Sequence, residues 1–355
     1  MKVALSCDWL VERNHLTSIT EAILEIYDEA EIYCLIHHAG KILGPVEQRK
    51  IHSTFMSRFE DGVSAAWKKA YVIPGAAKNL FIPCSVDLII NISSGLSHGI
   101  RKCDNTKMVT YLVDMEALEM KPKSFLAKLS NPFVKDWSLK SLKKPDVIWP
   151  ASKALYNDLK DHFDNIGDVL SPFFKISDYP LFPAKLQKTF PRDFWVIHAP
   201  ALSVEDAKKV ISIMKEAKQK FKFAGIDTHL DSLKKDHSEH FYGDRCSGEL
   251  APLLSAAIGI VDLDKSGWPE FAFKAMASGR PVICLKDALK GGHLEESLGV
   301  TTINNLDELT SALTNWPNRG ELEVEDYDKK IRAPMMKFHD VKFKSELKRR
   351  IEGIL

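Results

Sequence analysis

The strongest constraint on the fold lies at residues 258–283, IGIVDLDKSGWPEFAFKAMASGRPVI. An apolar run ends at Leu263, and a loop holding Gly267, Trp268 and Pro269 follows. A helix is predicted over 270–278, with Phe271, Ala275 and Met276 on its buried side. Gly279 suits the residue after a helix end, where φ is positive. Pro281-Val282-Ile283 opens another strand. Strand, loop, helix and strand make one α/β unit, and ligands of such units bind at the carboxyl ends of the strands.

The rest of the chain repeats this alternation. Val3-Ala4-Leu5-Ser6 reads as a short buried strand with Cys7-Asp8-Trp9-Leu10 as its exit loop. A helix over 17–27 carries Ile19, Ala22, Ile23 and Ile26, and 31–36 is the second strand. Further strands are predicted at 87–91, 108–112 and 146–150. Residues 171–192 hold four prolines and no apolar period, which argues against a regular element. A second α/β set runs from 194, with a helix over 204–218 and strands at 221–224, 240–243 and 259–263. The last helix, 341–354, has Val341, Leu347, Ile351 and Ile354 on one side. A chain of 355 residues has room for two domains of about 150 each. The expected division is 1–170, a linker at 171–192, 193–334, and a terminal helix at 335–355.

Composition excludes more than it assigns. A net charge of +1 gives no global field for nucleic acid. The six cysteines are scattered without a C-x-x-C pair and read as reduced thiols of a cytosolic chain. No apolar run approaches the roughly 20 residues of a membrane span, and the first apolar stretch is too short for a signal peptide. His237-Ser238-Glu239-His240 lacks the zinc-hydrolase pattern and reads as a solvated helix end, and His37-His38 as a strand end. Ser93-Ser94-Gly95 follows a strand and is either an anion-binding turn or a plain connection. Residues 121–144 interleave lysines with Phe125, Leu126, Phe133, Trp137 and Leu139. That pattern suits an anionic membrane surface or a helix with one core face and one solvated lysine face.

Lys274-Ala275-Met276-Ala277-Ser278-Gly279-Arg280-Pro281-Val282 resembles the second half of the donor-sugar motif of family 4 glycosyltransferases. Asp8-Trp9-Leu10, Asp87-Leu88-Ile89-Ile90, Val109-Thr110-Tyr111 and Gly291-Gly292 resemble further motifs of that family. The resemblance implies a GT-B architecture: α/β, two Rossmann-like domains with parallel sheets facing across a cleft, and a C-terminal helix crossing back to the first domain. It also implies where the site positions fall. On the donor side these are Pro200 and Glu205, where the family has Arg and Lys, Ser266 and Lys274, where it has two glutamates, and the retained Gly291 and Gly292. On the other side they are His15 and Leu16 in place of a Gly-Gly pair, His98 where Lys is frequent, and Val113 in place of the catalytic-position histidine.

A departing diphosphate needs Arg, Lys or backbone N–H groups, and Lys274 cannot accept a bond from a ribose hydroxyl. With these departures together, the expected function is a degenerate, non-catalytic homologue acting as a partner or scaffold in surface polysaccharide or glycoconjugate assembly. It would bind a nucleotide sugar weakly, use no cofactor or metal, and associate with itself or another protein. It would be cytoplasmic, with a possible membrane contact through 121–144 at the inner face. The alternatives are an active transferase with a rebuilt site, in which Lys274 replaces the missing cation, and a nucleotide-sugar or glycan sensor.

Overall fold

The computed structural model describes residues 1–59, 69–115, 125–181, 193–200, 202–225, 228–265, 268–316 and 324–355. They form two compact units, Met1–Phe173 with Phe343–Leu355, and Phe174–Lys342.

The first unit holds strands β1 (Val3–Leu10), β2 (Glu31–His37), β3 (Ile51–Ser53), β4 (Leu88–Ser93), β5 (Lys107–Leu112) and β6 (Val147–Pro150). Its helices are α1 (His15–Leu24), α2 (Ile73–Asn79), α3 (Phe125–Ser141) and α4 (Lys153–Leu159). The sheet is parallel, in the order β3-β2-β1-β4-β5-β6. Side chains alternate across it. Leu5, Cys7, Ile32, Ile90 and Ile92 pack with Ile19 and Ile23 of α1. Ala4, Tyr33, Ile89 and Met108 face Ala76 and Ala77 of α2 and Val134 of α3.

Three expectations change here. Residues 7–10 are strand, because Cys7, Trp9 and Leu10 pair with Cys34, Ile36 and His37. The polar residue that suggested a loop, Asp8, is buried and takes backbone N–H groups instead. Helix α1 starts at His15, earlier than expected, because Asn14 caps it by accepting the Thr17 N–H. Cys84 and Cys103 are not reduced thiols but a disulfide with a Cα–Cα distance of 5.4 Å. Each lies just ahead of one of two paired strands, whose starts Leu88 and Lys107 are in register. Parallel neighbours place their entry loops side by side, which the sequence spacing hid.

The second unit holds β7 (Phe194–His198), α5 (Val204–Glu216), β8 (Lys220–Ala224), α6 (Asp231–His237), β9 (Phe241–Gly243), α7 (Ser247–Ala256) and β10 (Ile260–Asp262). It continues with α8 (Glu270–Ala277), β11 (Val282–Leu285), β12 (Val300–Ile303), α9 (Leu309–Thr314) and α10 (Val324–Arg332). Its sheet is also parallel, in the order β12-β11-β10-β7-β8-β9. Helix α8 is buried nearly all round, with Phe271, Ala272, Phe273, Ala275, Met276 and Ala277 inside. A one-sided helix was expected. Ile331 of α10 and Phe338 join the same core and close the other side.

The last helix, α11 (Asp340–Glu352), belongs largely to the first unit. Its buried stripe is Phe343, Leu347 and Ile351, at spacings of four, packed with Ile23 and Phe173. Val341 is 56% exposed, not part of the stripe as its sequence position suggested. The Arg350 guanidinium donates to the Asp168 and Val169 carbonyls at 2.6 and 3.0 Å, fixing the helix beside the segment after α4. Of the proline-rich stretch, 182–192 lies outside the described residues. Phe173, Phe174, Ile176 and Tyr179 ahead of it are buried.

Gly279 ends α8 in a Schellman motif. Its N–H reaches the Met276 carbonyl and the Arg280 N–H reaches the Ala275 carbonyl, both at 2.9 Å, with φ +74° at Gly279. A Cβ there would lie 2.7 Å from the Asp328 Cβ. Gly279→Ala should therefore destabilise the second unit by about 1–3 kcal/mol. Urea titration should show a lower midpoint at unchanged slope.

Candidate functional site

Both sheets reverse their strand order once, between β1 and β4 in the first unit and between β7 and β10 in the second. Crevices at the carboxyl ends of such pairs are where open α/β sheets take ligands. Each reversal carries a buried aspartate.

In the first unit, Asp8 on β1 accepts the Ser94 N–H at 2.7 Å and the Ser97 N–H. Burial pushes its pKa up, against the lowering effect of those bonds. Ser93 Oγ lies 2.9 Å from His98 Nδ1, and His98 Nε2 lies 2.9 Å from the Ser138 carbonyl on α3. Asn91 donates to the Ser6 and Ser97 hydroxyls at 2.8 Å. The serine-rich turn is thus tied down from beneath. Its Ser94 and Ser97 N–H groups already serve Asp8, and the Gly95 N–H bonds Ser93 Oγ at 3.1 Å. They are not free for an anion.

His98 is fully buried, and burial lowers its pKa to about 4. His15 is the first residue of α1, part-buried, its ring centroid 6.3 Å from that of Phe173. Leu16 is buried in the core. Val113 follows β5 and donates its N–H to the Ser93 carbonyl at 2.9 Å. All four positions follow the carboxyl ends of β1, β4 or β5.

In the second unit, β7 ends at His198 and β10 at Asp262, and the two residues are direct register partners. His198 Nδ1 lies 2.9 Å from Asp262 Oδ1. The second oxygen of Asp262 accepts the Ala272 N–H of α8 at 3.0 Å. The imidazole stacks on Phe271 at 4.2 Å between centroids and 6° between planes. Gly225, with φ +98°, ends beside it, and a Cβ there would meet His198 Cδ2 at 2.7 Å. The His198 side chain keeps 14% exposure while that of Asp262 has 1%. Sequence reasoning did not single out this pair. Its signal was a histidine and an acid ending the two strands that flank the reversal.

Pro200 lies in the turn after β7, half-buried, and Glu205 is exposed in the first turn of α5. Lys274 on α8 is held by Glu270 at 2.7 Å, with its ammonium 5.9 Å from the centre of the Tyr179 ring. Burial opposes its charge, but Glu270 and the Tyr179 hydroxyl outweigh this and raise its pKa. Gly291 and Gly292 follow β11, the first buried and the second at φ +70°. Ser266 lies outside the described residues.

Among the described residues no group of three or more His, Cys, Asp or Glu could hold a metal ion. His240 stacks on Phe221 and lies 3.2 Å from a Glu239 oxygen, and His37 lies 3.5 Å from one of Glu47. Of 121–144, residues 121–124 lie outside the description. On α3, Leu129, Phe133 and Leu139 are exposed beside Lys128 and Lys140, while Val134 is buried. No described helix is long and apolar enough to cross a membrane.

Against known proteins, no family model and no curated sequence matches this chain. Solved structures do. HepE of Anabaena, in complex with UDP, superposes with a TM-score of 0.68 at 14% identity, covering 99% of this chain and 100% of its own. Sucrose-phosphate synthase of Thermosynechococcus elongatus gives 0.68 at 13% identity, covering 100% and 99%. WaaG, a glycosyltransferase involved in lipopolysaccharide biosynthesis, gives 0.62 at 14% identity, covering 97% and 98%. The chain has the GT-B fold.

In this GT-B chain the His98 network makes stability depend on pH. The folded protein resists protonating His98 until about pH 4, whereas the unfolded chain takes the proton near 6.5. The unfolded state binds more protons between these values, so stability is lost as pH falls through that window. The loss from this residue is about 3 kcal/mol at 1.36 kcal/mol per unit. Urea midpoints of the native chain should fall steeply from pH 6.5 to 4, and His98→Asn should flatten that slope.

Proposed function

We propose that this protein is a GT-B glycosyltransferase homologue of surface polysaccharide or glycoconjugate assembly with impaired sugar-transfer chemistry, acting there as a partner rather than as a catalyst. Lys274 carries the reading. It stands where family members present a carboxylate to the donor ribose, and its ammonium is engaged by Glu270. Glu205 adds a negative charge where a diphosphate needs a positive one. Exposed Leu129, Phe133 and Leu139 on α3 supply an apolar surface for association, with Lys128 and Lys140 as its charged fringe. The same surface suits a peripheral contact at the inner face of the membrane.

HepE was solved with UDP and with UDP-glucose, which makes these the first ligands to try. Calorimetry should find UDP-glucose binding in the millimolar range or weaker, about −4 kcal/mol. A micromolar dissociation constant with donor turnover would overturn the reading.

One observation favours a second reading, an active transferase with a rebuilt donor site. His198, held by Asp262 at the reversal of the second sheet, places an imidazole where Pro200 and Glu205 offer no side-chain hydrogen-bond donor. If transfer is detected, His198→Ala should reduce turnover by about 10²-fold or more, the size of losing one donor to developing charge.

The cytoplasmic assignment belongs to the same proposal. The Cys84–Cys103 bridge bears against it, since cytosolic thiols are kept reduced and a cytoplasmic protein would hold this pair open. In a cytoplasmic protein, alkylation under denaturing conditions at the moment of lysis should label all six cysteines. A protected pair would place the protein in an oxidising compartment.

A further inference from the structure

An open groove of about 600 Å³ lies in the first unit, on the sheet face covered by α2 and α3, with Lys78, Arg101 and Lys144 exposed at its rim. Its walls come from three separate places: Gly75 and Lys78 on α2, Arg101 and Lys102 ahead of β5, and Trp137 and Lys144 on and just after α3. Four of the residues lining it are cations and none is an acid. Its volume is that of a small-molecule pocket.

The cations are only partly answered by the protein. Lys102 is paired with Asp146 at 2.7 Å, and the Lys144 ammonium donates to the Gly99 carbonyl at 2.6 Å. No carboxylate among the described residues pairs with Lys78, Arg101 or Lys144. Burial, and then the charge of Lys78, lowers the pKa of Lys144. Like charges facing a shared groove are unfavourable until an anion enters it.

The wall is built rather than accidental. Gly99 lets the Trp137 indole lie on the backbone, since a Cβ there would fall 2.2 Å from Trp137 Cζ2. Gly75, by contrast, has nothing within 4 Å of where a Cβ would stand. The indole gives the groove one flat apolar side, opposite the charges in chemistry though adjacent in space. Phe133, one helical turn before Trp137, and Phe81, bridged to Arg101 through the backbone, are 60% and 67% exposed.

We propose that Lys78, Arg101, Lys102 and Lys144 with the Trp137 ring form a binding site for a multiply charged phosphate group, a phosphomonoester or diphosphate whose organic part lies against the indole. The site is separate from both strand reversals and does not depend on the donor-site reading. Two sources present this chemistry, a free phosphate compound and a phosphomonoester lipid headgroup.

The test uses the full chain and two probes: inorganic pyrophosphate by calorimetry, and phosphatidylcholine vesicles with or without phosphatidic acid by sedimentation. Two variants separate the site from general charge. Gly75→Leu fills the groove without changing any charge, at a position with room for a side chain. Lys78→Glu with Arg101→Glu reverses two of the cations. Circular dichroism and thermal unfolding check that both fold. Each variant should weaken pyrophosphate binding by about tenfold or more, the double Glu variant through lost charge-assisted bonds and Gly75→Leu by occupying the space. If the source is a lipid, phosphatidic acid vesicles should also sediment the native chain and neither variant. Pyrophosphate binding with no vesicle binding assigns the site to a free phosphate compound. Pyrophosphate binding that survives Gly75→Leu, with or without vesicle binding, would overturn the proposal, since it would then come from surface charge or from another site. So would failure of the native chain to bind either probe.

Discussion

Each sheet depends on one buried carboxylate at the point where its strand order turns back. Asp8 ties the end of β1 to the exit of β4 through the Ser94 and Ser97 N–H groups. Asp262 ties the end of β10 to β7 through His198 and to α8 through the Ala272 N–H. A buried carboxylate is costly unless its oxygens are bonded, and here the bonds join elements from opposite sides of the reversal. Without the tie, the loops bordering it would have no fixed starting point.

The two seams use the carboxylate differently. In the first unit the N–H groups of the turn are spent on Asp8, and His98 continues the network inward to Ser138. The result is a closed polar core under the turn. In the second unit the aspartate holds an imidazole that is still partly exposed, stacked on Phe271 and cleared by Gly225. That seam keeps a partly exposed imidazole at the carboxyl ends of β7 and β10.

How much of this was readable in advance follows from the range of the interactions. The motif at 270–282 predicted its helix, its Gly279 turn and its following strand, because all three are local. The parallel sheets followed from alternating apolar runs. What the sequence did not disclose needs residues far apart in the chain. His198 and Asp262 meet only through the β7–β10 register. Cys84 and Cys103 meet only because β4 and β5 are neighbours. Asp8 looked like a loop residue because a charge in a buried strand is rare, and its partners lie beyond β4. The stripe of α11 was misassigned at Val341 for a smaller reason. A helix of mixed polarity offers two overlapping apolar lines, and packing against Phe173 selects the one through Phe343.

The departures from the family pattern share a direction. A glycine pair at the start of α1 would leave N–H groups open to an anion; here Asn14 caps the helix and Leu16 is buried in the core. A lysine in the first turn of α5 would oppose the helix dipole, whereas Glu205 favours it by about 0.3–1 kcal/mol. A carboxylate at 274 would sit one turn after Glu270 and repel it, whereas Lys274 forms the favoured Glu-then-Lys pair. At each of these positions the residue present satisfies a local helix rule that the catalytic residue would break. Functional sites are where proteins hold residues against such rules. On the donor side, Glu205 and Lys274 both obey such rules, and this local fit is what supports the proposed reading of a weakened donor site.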